Sequence, residues 1–458
     1  MKFLGLDIPV KNIPELDEGF VPLGQFFKTY LASAKKPICV AVERSEGQIA
    51  TWLTNIYGTP EMQEADAYYV DRLVKFLLWS KGGFKVTICG DETVANSVKK
   101  SYSTNGSRAF DKEFMERVYE TDFVVESVPY ENRPKEYQKS EAIGRHMNGC
   151  RIGFDAGGSD RKVSAVIDGE AVYSEEVVWF PKTNPDPDYH YNGIVEAFKT
   201  AASKMPRVDG IGISSAGVYV DNKCMVASLF LKVNEADFNA KVKNIYTRAA
   251  KEIGEDVPVV VANDGDVTAL AGAMGLEENG VLGIAMGTSE AVGYVDADGN
   301  ITGWLNELAF APVDAQPDAM QDEWSGDIGC GVKYFSQDGV IKLAPRAGIT
   351  LTGESPAEKL KEVQKLMEQD DERAIKVYNS IGVYLGHSLA LYATFYNIHH
   401  VLMLGRVMSG KGGDIIMDVA SKVLSEEYPD IKFRPEAPDE KTRRVGQSVA
   451  AASLPITK

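Results

Sequence analysis

The sequence predicts an α/β protein of two or three domains, on three observations. Short apolar runs alternate with helix-spaced segments along most of the chain. Several strand pairs are joined by turns of small residues, most clearly at Asp155-Ala-Gly-Gly-Ser159. At 458 residues the chain is also too long to enclose a single core. A hydrophobic share of 44% with 25% charged residues fits a globular protein and excludes large-scale disorder.

Residues 1–148 read as a first α/β unit. A strand over 37–43 and a returning strand over 48–53 flank the turn Arg44-Ser-Glu-Gly47. The spacing of Tyr69, Leu73, Leu77 and Leu78 predicts a helix over 65–80, stopped by Gly82-Gly83. A strand over 84–89, helices over 91–100 and 111–119, and a strand over 123–128 follow. Residues 129–146, polar and carrying Pro134, read as a linker or a connecting helix. Residues 41–51 echo the strand-turn-strand around Asp155, with Glu43 opposite it, either as a degenerate duplicate or as an independent hairpin. Without paired glycines, no phosphate binding is assigned to them.

From Arg151 the alternation continues. Ile152 and Phe154, then Val163, Ala165 and Ile167, mark two buried strands, and 170–180 adds an antiparallel member of a mixed sheet. Residues 181–190 form a proline-rich loop of a length often used for binding, ahead of a helix over 191–205. A strand over 210–217 runs into a small-residue bend, and a helix over 236–253 follows. The strand over 257–262 ends in Asn263-Asp264-Gly265-Asp266, at the head of a small-residue helix over 267–274. A second hairpin, 280–286 and 290–295, turns at Gly287-Thr288-Ser289. A helix over 381–396 and the glycine turn in Leu404-Gly405-Arg406 complete the pattern.

The turns suggest the chemistry. Gly157, Gly158 and Ser159 allow close approach to the backbone and aim N–H groups at one point, which suits phosphate oxygens. Asp155, at the end of its strand, is placed to hold Mg²⁺ or its water, and a tight hairpin with an incidental aspartate is the plain alternative. Asp264 either caps its helix or accepts a proton from a substrate hydroxyl, as phosphoryl transfer requires. Thr288 and the N–H groups around Gly287 offer a second phosphate cradle.

Composition narrows the partners. The net charge of −17, with no basic patch, excludes nucleic acid and anionic membranes. Five scattered cysteines without Cys-x-x-Cys argue against a disulfide framework and for a reducing compartment. The first residues lack the long apolar core of a signal peptide and no stretch reaches transmembrane length, so a cytoplasmic location is expected.

In order and spacing these motifs resemble the ROK family (repressors, open reading frames, kinases) of sugar kinases, within the actin/hexokinase/Hsp70 fold group. The resemblance covers about 150–458. Gly153-Phe-Asp155-Ala-Gly-Gly-Ser159 is similar to the family's first phosphate motif, with Ser159 where threonine is usual. Asn263-Asp264-Gly-Asp266 resembles Asn-Asp-Ala-Asn, whose aspartate is the catalytic base. Gly287-Thr288-Ser289 resembles the second phosphate motif, Leu404-Gly405-Arg406-Val407 the adenosine motif, and Val445-Gly446-Gln-Ser-Val-Ala-Ala451 the final helix.

The resemblance implies a two-lobed actin-like ATPase (ribonuclease H-like) fold with mixed sheets and an added N-terminal α/β domain. Residues 1–148 would be that domain, of unknown role; 149–262 with 440–458 would be the small lobe, and 263–439 the large lobe. It further implies ATP-dependent phosphorylation of a hydroxyl of a sugar or sugar derivative, with ATP and Mg²⁺ as cofactors, a small-molecule sugar as partner, and a homodimer. Asp264 would be the base, with Asn263 and Glu307 orienting the sugar. Gly157, Gly158, Ser159, Gly287 and Thr288 would donate to phosphates, Gly405 and Arg406 would border adenosine, and Asp155 would hold Mg²⁺.

The departures bear on the sugar pocket. The family's Gly-Glu-x-Gly-His, whose glutamate and histidine bind sugar while the histidine also holds zinc, reads Asn306-Glu307-Leu-Ala-Phe310. The zinc run Cys-x-Cys-Gly-x-x-Gly-Cys reads Glu323-Trp-Ser325-Gly-Asp-Ile-Gly329-Cys330, and one thiolate cannot build a tetrahedral site, so zinc is not expected. A sugar-binding glutamate two residues past the last cysteine is Val332. Tyr189, His190, Asn234 and Asp322 are the candidate replacements, and Arg161 or Lys162 the candidate cation near the phosphates. His387, His399 and His400 read as packed or solvated. Rival readings are a sugar-sensing transcription regulator, disfavoured by the non-basic 1–148; a non-catalytic sugar- or nucleotide-binding or regulatory protein of the same fold; and an ATPase or acyl-phosphate-forming kinase, disfavoured by the Asn263-Asp264 pair.

Overall fold

A computed structural model describes residues 1–139, 143–438 and 446–457. The expected lobe boundary at 439/440, and Val445 of the last motif, lie outside the described residues. The chain divides into two compact units. The first comprises Met1–Lys139, Ile284–Val292 and Trp304–Ala437; the second comprises Ser140–Gly283, Gly293–Gly303 and Pro438–Lys458.

In the first unit, the strands Gln48–Ile56, Lys36–Arg44, Lys85–Cys89 and Val124–Val128 lie side by side in that order. The first three alternate in direction and the last runs parallel to its neighbour. The hairpin that echoes the Asp155 pattern is a plain antiparallel pair with Glu43 opposite Ile49. After the last strand, the described residues form one short turn, Tyr130–Asn132, and a bridge from Tyr137 to Ile49, so this part runs as a linker and not as a connecting helix.

The helix Gln63–Lys81 is buried on nearly every side, including polar positions. It carries Arg72 and Lys75 inward to a cluster of matched charges. Arg72 Nη1 lies 3.0 Å from Asp327, and Lys75 Nζ lies 3.0 Å from Asp111 and 3.3 Å from Asp327. Arg108 spans Asp327 and Asp71, each at 2.7 Å. Burial pushes the Asp327 carboxyl up, but the Arg72 and Lys75 charges outweigh it and hold the group below the usual range.

The second unit is built on a five-stranded mixed sheet in the order Val259–Asn263, Gly210–Ser215, Cys150–Ala156, Asp160–Ile167, Glu170–Val178. The first three strands are parallel and the last two antiparallel. The helix Pro187–Ala202 starts earlier than the periodicity predicts because Asp186 caps it, accepting from Asp188 N at 2.9 Å. The single helix expected over 236–253 is interrupted: Glu235–Asp237 leads into a π turn, Phe238–Val242, and then Ile245–Lys251. Phe238, Val242, Ile245 and Ala249 all stay buried, so the break keeps one face on the core.

The last helix, Gln447–Ala452, lies directly on the central strands. A side chain at Gly153 or Gly212 would collide with the carbonyls of Ser448 and Ala451, so glycine at both positions is what lets the helix dock. Arg151, fully buried at the start of its strand, fastens the residues just past the helix. Its guanidinium donates to Asn148 O, Pro455 O and Thr457 Oγ1 at 2.7–3.0 Å.

Breaking the Asp327 cluster strands buried cations. Asp327→Asn is expected to lower stability by about 3–5 kcal/mol, measured by urea unfolding, and a loss below about 1 kcal/mol would show that the cluster relaxes around the change.

Candidate active site

Parallel strands gather the site's residues at their C-terminal ends, where open α/β sheets commonly bind ligands. In register, Ser214 sits between Asp155 and Ala262, and Ser215 pairs with Asn263. Ser214 Oγ donates to Asp155 Oδ1 at 2.9 Å. Asp155 is buried, and that burial, reinforced by the nearby charge of Asp264, pushes its carboxyl up to about 6.

Asn263 and Asp264 begin the helix Asp264–Leu276. Asn263 Oδ1 accepts from Gly265 N and its Nδ2 donates to Gly217 O, both at 2.7 Å, which leaves one further N–H on the amide. Asp264 is half-buried and also accepts from Gly265 N, at 3.0 Å. Burial raises its carboxyl above the ordinary aspartate range, against the pull of that N–H and of Lys182. The helix is held from the other side by Gln447, whose Nε2 donates to Asp264 O and Thr268 Oγ1.

The turn Gly157-Gly158-Ser159 is pinned from below. Trp179 Nε1 donates to Gly157 O at 2.8 Å, and Trp179 N donates to Ser159 O at 3.1 Å. Gly158 and Ser159 are exposed. The cation at this turn is Lys182: a Cβ on Gly158 would lie 2.7 Å from its Cε. Arg161 and Lys162, the residues expected there, are engaged elsewhere. Arg161 pairs with Glu196 at 2.6 Å, and Lys162 with Asp160 at 3.5 Å.

The remaining site residues belong to the first unit. Thr288 is exposed at the tip of its hairpin, and Gly287 O accepts from Gln337 N at 2.9 Å. Gly405 has φ +94°, and its Cα packs against the Met286 backbone, immediately before the phosphate-type turn; any side chain would be both strained and blocked. Arg406 is exposed, and its carbonyl accepts from Gln364 Nε2 at 2.8 Å. A cavity of about 150 Å³ lies next to this segment, lined by Gln364, Met367, Tyr378, Ser409, Lys411 and Gly412.

Glu307 is half-buried, and its N donates to Trp79 O at 2.9 Å. Phe310 stacks in an aromatic group with Trp79 and Phe110, at 4.5 and 5.7 Å between ring centres. The stretch 323–330 is tied to the N-terminal residues through Asp327. The Cys330 thiol, buried beside that cluster, is pushed up to about 12.

The four candidate replacements in the sugar pocket are engaged within the fold. Tyr189 Oη accepts from Phe180 N, and both His190 ring nitrogens face backbone carbonyls, of Asp186 and Pro181. Asn234 caps a helix and Asp322 accepts from the N–H and hydroxyl of Ser325. His387 is packed between Tyr428 Oη and Asn12 O. Sequence reasoning missed Glu290, buried in the strand after the second turn, with its carboxyl pushed up to about 8 mainly by burial. Its signal was a glutamate directly following the turn and preceding the apolar Ala291-Val292.

The description "ROK family" matches residues 151–427, more than half of the chain. The chain belongs to the ROK family. Its fold is accordingly the actin-like ATPase (ribonuclease H-like) fold, with mixed sheets and extra N-terminal α/β structure. The ROK hexokinase of Thermus thermophilus is similar at 17% identity, covering 66% of this chain and 97% of that one, with a TM-score of 0.50. A ROK transcriptional regulator, a homologue of the E. coli MLC protein, is similar at 18% identity, over 68% and 79%, with a TM-score of 0.53. A ROK glucokinase from Streptomyces griseus, solved with glucose and AMPPNP, is similar at 20% identity, over 67% and 99%, with a TM-score of 0.49. No curated protein matches the chain in sequence. The ROK fold is thus shared with a hexokinase and with a regulator. Among the described residues no helix is long and apolar enough to cross a membrane.

Asp155 and Glu290 hold their protons more tightly folded than unfolded. Their contribution to stability is full below the ordinary carboxylate range and is lost as pH climbs through about 6 and about 8. The melting temperature is expected to fall between about pH 4 and 8, and Glu290→Gln to flatten that fall, most clearly between about pH 6 and 8 where Asp155 no longer contributes. The Glu290 contribution is bounded by about 5 kcal/mol. Parallel curves for wild type and variant in thermal unfolding would overturn the assignment.

Proposed function

We propose that this protein is an ATP-dependent kinase that phosphorylates a hydroxyl of a sugar or sugar derivative. The observation that carries the reading is Asp264, a half-buried carboxylate of raised proton affinity at a strand end, one strand removed from Asp155 in the same sheet. A base of that kind is suited to take a hydroxyl proton near neutral pH. The family match supports the reading.

In this mechanism the sugar oxygen forms a bond to the γ-phosphorus as its proton passes to Asp264. The bond between that phosphorus and the bridging oxygen breaks, and ADP leaves with the electron pair. Gly157, Gly158, Ser159, Gly287 and Thr288 donate to the phosphates, and Lys182 adds a positive charge that sequence reasoning had sought elsewhere. Gly405 and Arg406, beside the 150 Å³ cavity, border the adenosine. Asn263 and Glu307 orient the sugar.

Among the described residues no three His, Cys, Asp or Glu side chains converge as a metal cage. Mg²⁺ does not need one: it takes one or two carboxylates, with waters and substrate phosphates completing its shell. Asp155, buried and repelled by Asp264, fits that role, and the ion when bound supplies neutralisation of the phosphate charge. A small lobe of 149–262 with 440–458, a cytoplasmic setting and a homodimer belong to the same reading.

The test is ADP release with Mg·ATP across hexoses, amino sugars and their N-acetyl forms. Asp264→Asn is expected to reduce sugar-dependent turnover by about 10²–10⁴-fold. The acid limb of kcat/KM should lie above the ordinary aspartate range, in the direction of the Asp264 shift. ATP binding without sugar-dependent turnover would overturn the kinase reading in favour of a binding or regulatory protein.

A further inference from the structure

Glu290 is a carboxyl group that this mechanism leaves unused. It opens the strand Glu290–Val295, directly after Gly287-Thr288-Ser289. It is 3% exposed, and among the described residues neither of its carboxylate oxygens has a hydrogen-bond partner. Its Oε2 lies where a side chain at Gly331 would be, beside the Leu308 carbonyl. Leu308 directly follows Glu307, and the charge of Glu307 acts on Glu290. The Tyr392 hydroxyl faces the same carboxyl and offsets part of the burial effect on it.

A buried carboxyl without a donor is uncommon, and such groups concentrate where a ligand completes them. Here two carboxyl groups and a carbonyl oxygen lie near one another, so the site offers acceptors and a negative charge. The complement is a compact cation rich in donors. A primary ammonium brings three N–H donors and one positive charge. A divalent metal would need waters to complete its shell around these oxygens, and Glu290, 3% exposed, is closed off from solvent.

We infer that Glu290 is a specificity-determining residue that, together with Glu307, receives the ammonium group of an amino sugar. The inference rests on the sugar-kinase reading above and names the class of sugar. On binding, Glu290 gives up its proton to water and forms the ion pair with the amine, Glu307 shares its donors, and a neutral hexose leaves Glu290 protonated and unmatched.

The experiment is isothermal titration of the full chain with glucosamine, glucose and N-acetylglucosamine, followed by ADP release with Mg·ATP and the same sugars. Glucosamine is expected to bind at least tenfold more tightly than glucose, and N-acetylglucosamine, which carries no charge, to show no such preference. Glu290→Gln should lower the glucosamine-to-glucose affinity ratio at least tenfold, while Glu290→Asp, which keeps the charge, retains part of it. Should the Gln variant fail to fold by circular dichroism, the ratio in the Asp variant decides, and an unaltered ratio there overturns the inference. Equal affinity for glucosamine and glucose, or a ratio unchanged in Glu290→Gln, overturns it as well. Glu290-dependent glucosamine binding without ADP release would uphold the ammonium site and remove the kinase reading. Glucose turnover with no preference for glucosamine would do the reverse, and binding of no sugar would overturn both.

Discussion

Six charged side chains gather around Asp327, five of them buried and Asp71 partly exposed, and the first unit is arranged so that none is left unmatched. Removing Arg72, Lys75, Arg108, Asp71, Asp111 and Asp327 from solvent costs several kcal/mol per ion, offset only while each keeps its partners. Three cations from the N-terminal residues surround one carboxylate of the stretch 323–330. Trp79, on the same helix as Arg72 and Lys75, donates to Asp111 and stacks on Phe310. The end of that helix also accepts from the N–H groups of Asn306 and Glu307. The backbone that presents Glu307 is therefore set by residues outside the ROK match.

In the second unit the governing effect is burial of carboxyl groups, to which the charge of Asp264 adds at Asp155. Asp155 ends one strand and Asp264 follows another, with a single strand between the two, and the burial of each raises its proton affinity. Ser214 and Lys182 relieve part of this strain, through a hydrogen bond and a nearby charge. The residual repulsion favours a cation beside Asp155 and a proton acceptor at Asp264, and these are two separate requirements of phosphoryl transfer. In the proposed reaction the two carboxylates differ in role because their surroundings differ.

Local features made much of this legible in the sequence. Apolar alternation and glycine turns located the hairpins, and Asn263-Asp264 at a strand end announced its own cap. Contacts set by the tertiary fold stayed hidden. Lys182 lies in a proline-rich loop, and only the packing of Trp179 brings that loop under Gly157. Arg151 stands at the start of an apolar strand, and nothing local shows that its guanidinium is enclosed by carbonyls about 300 residues away in sequence. His190 and Asp322 looked like pocket ligands because polarity alone does not show which backbone groups already hold them. Glu290 was passed over because a glutamate in a strand usually faces water.

The docking of Gln447–Ala452 on Gly153 and Gly212 also has a meaning in time. The sheet bearing Asp155 is closed by one of the chain's last helices, and the Arg151–Pro455 bond spans 304 residues. Contacts of such separation form late and slow folding, because a long loop must close before they are rewarded. During synthesis, the strands Cys150–Ala156 and Gly210–Ser215 leave the ribosome with one docking glycine each, and Arg151 is still without its carbonyls. Those glycines stay uncovered until the segment near 450 arrives. Until then the nascent second unit has an unfinished face, and a chaperone that covers short apolar strands would find its binding surface there.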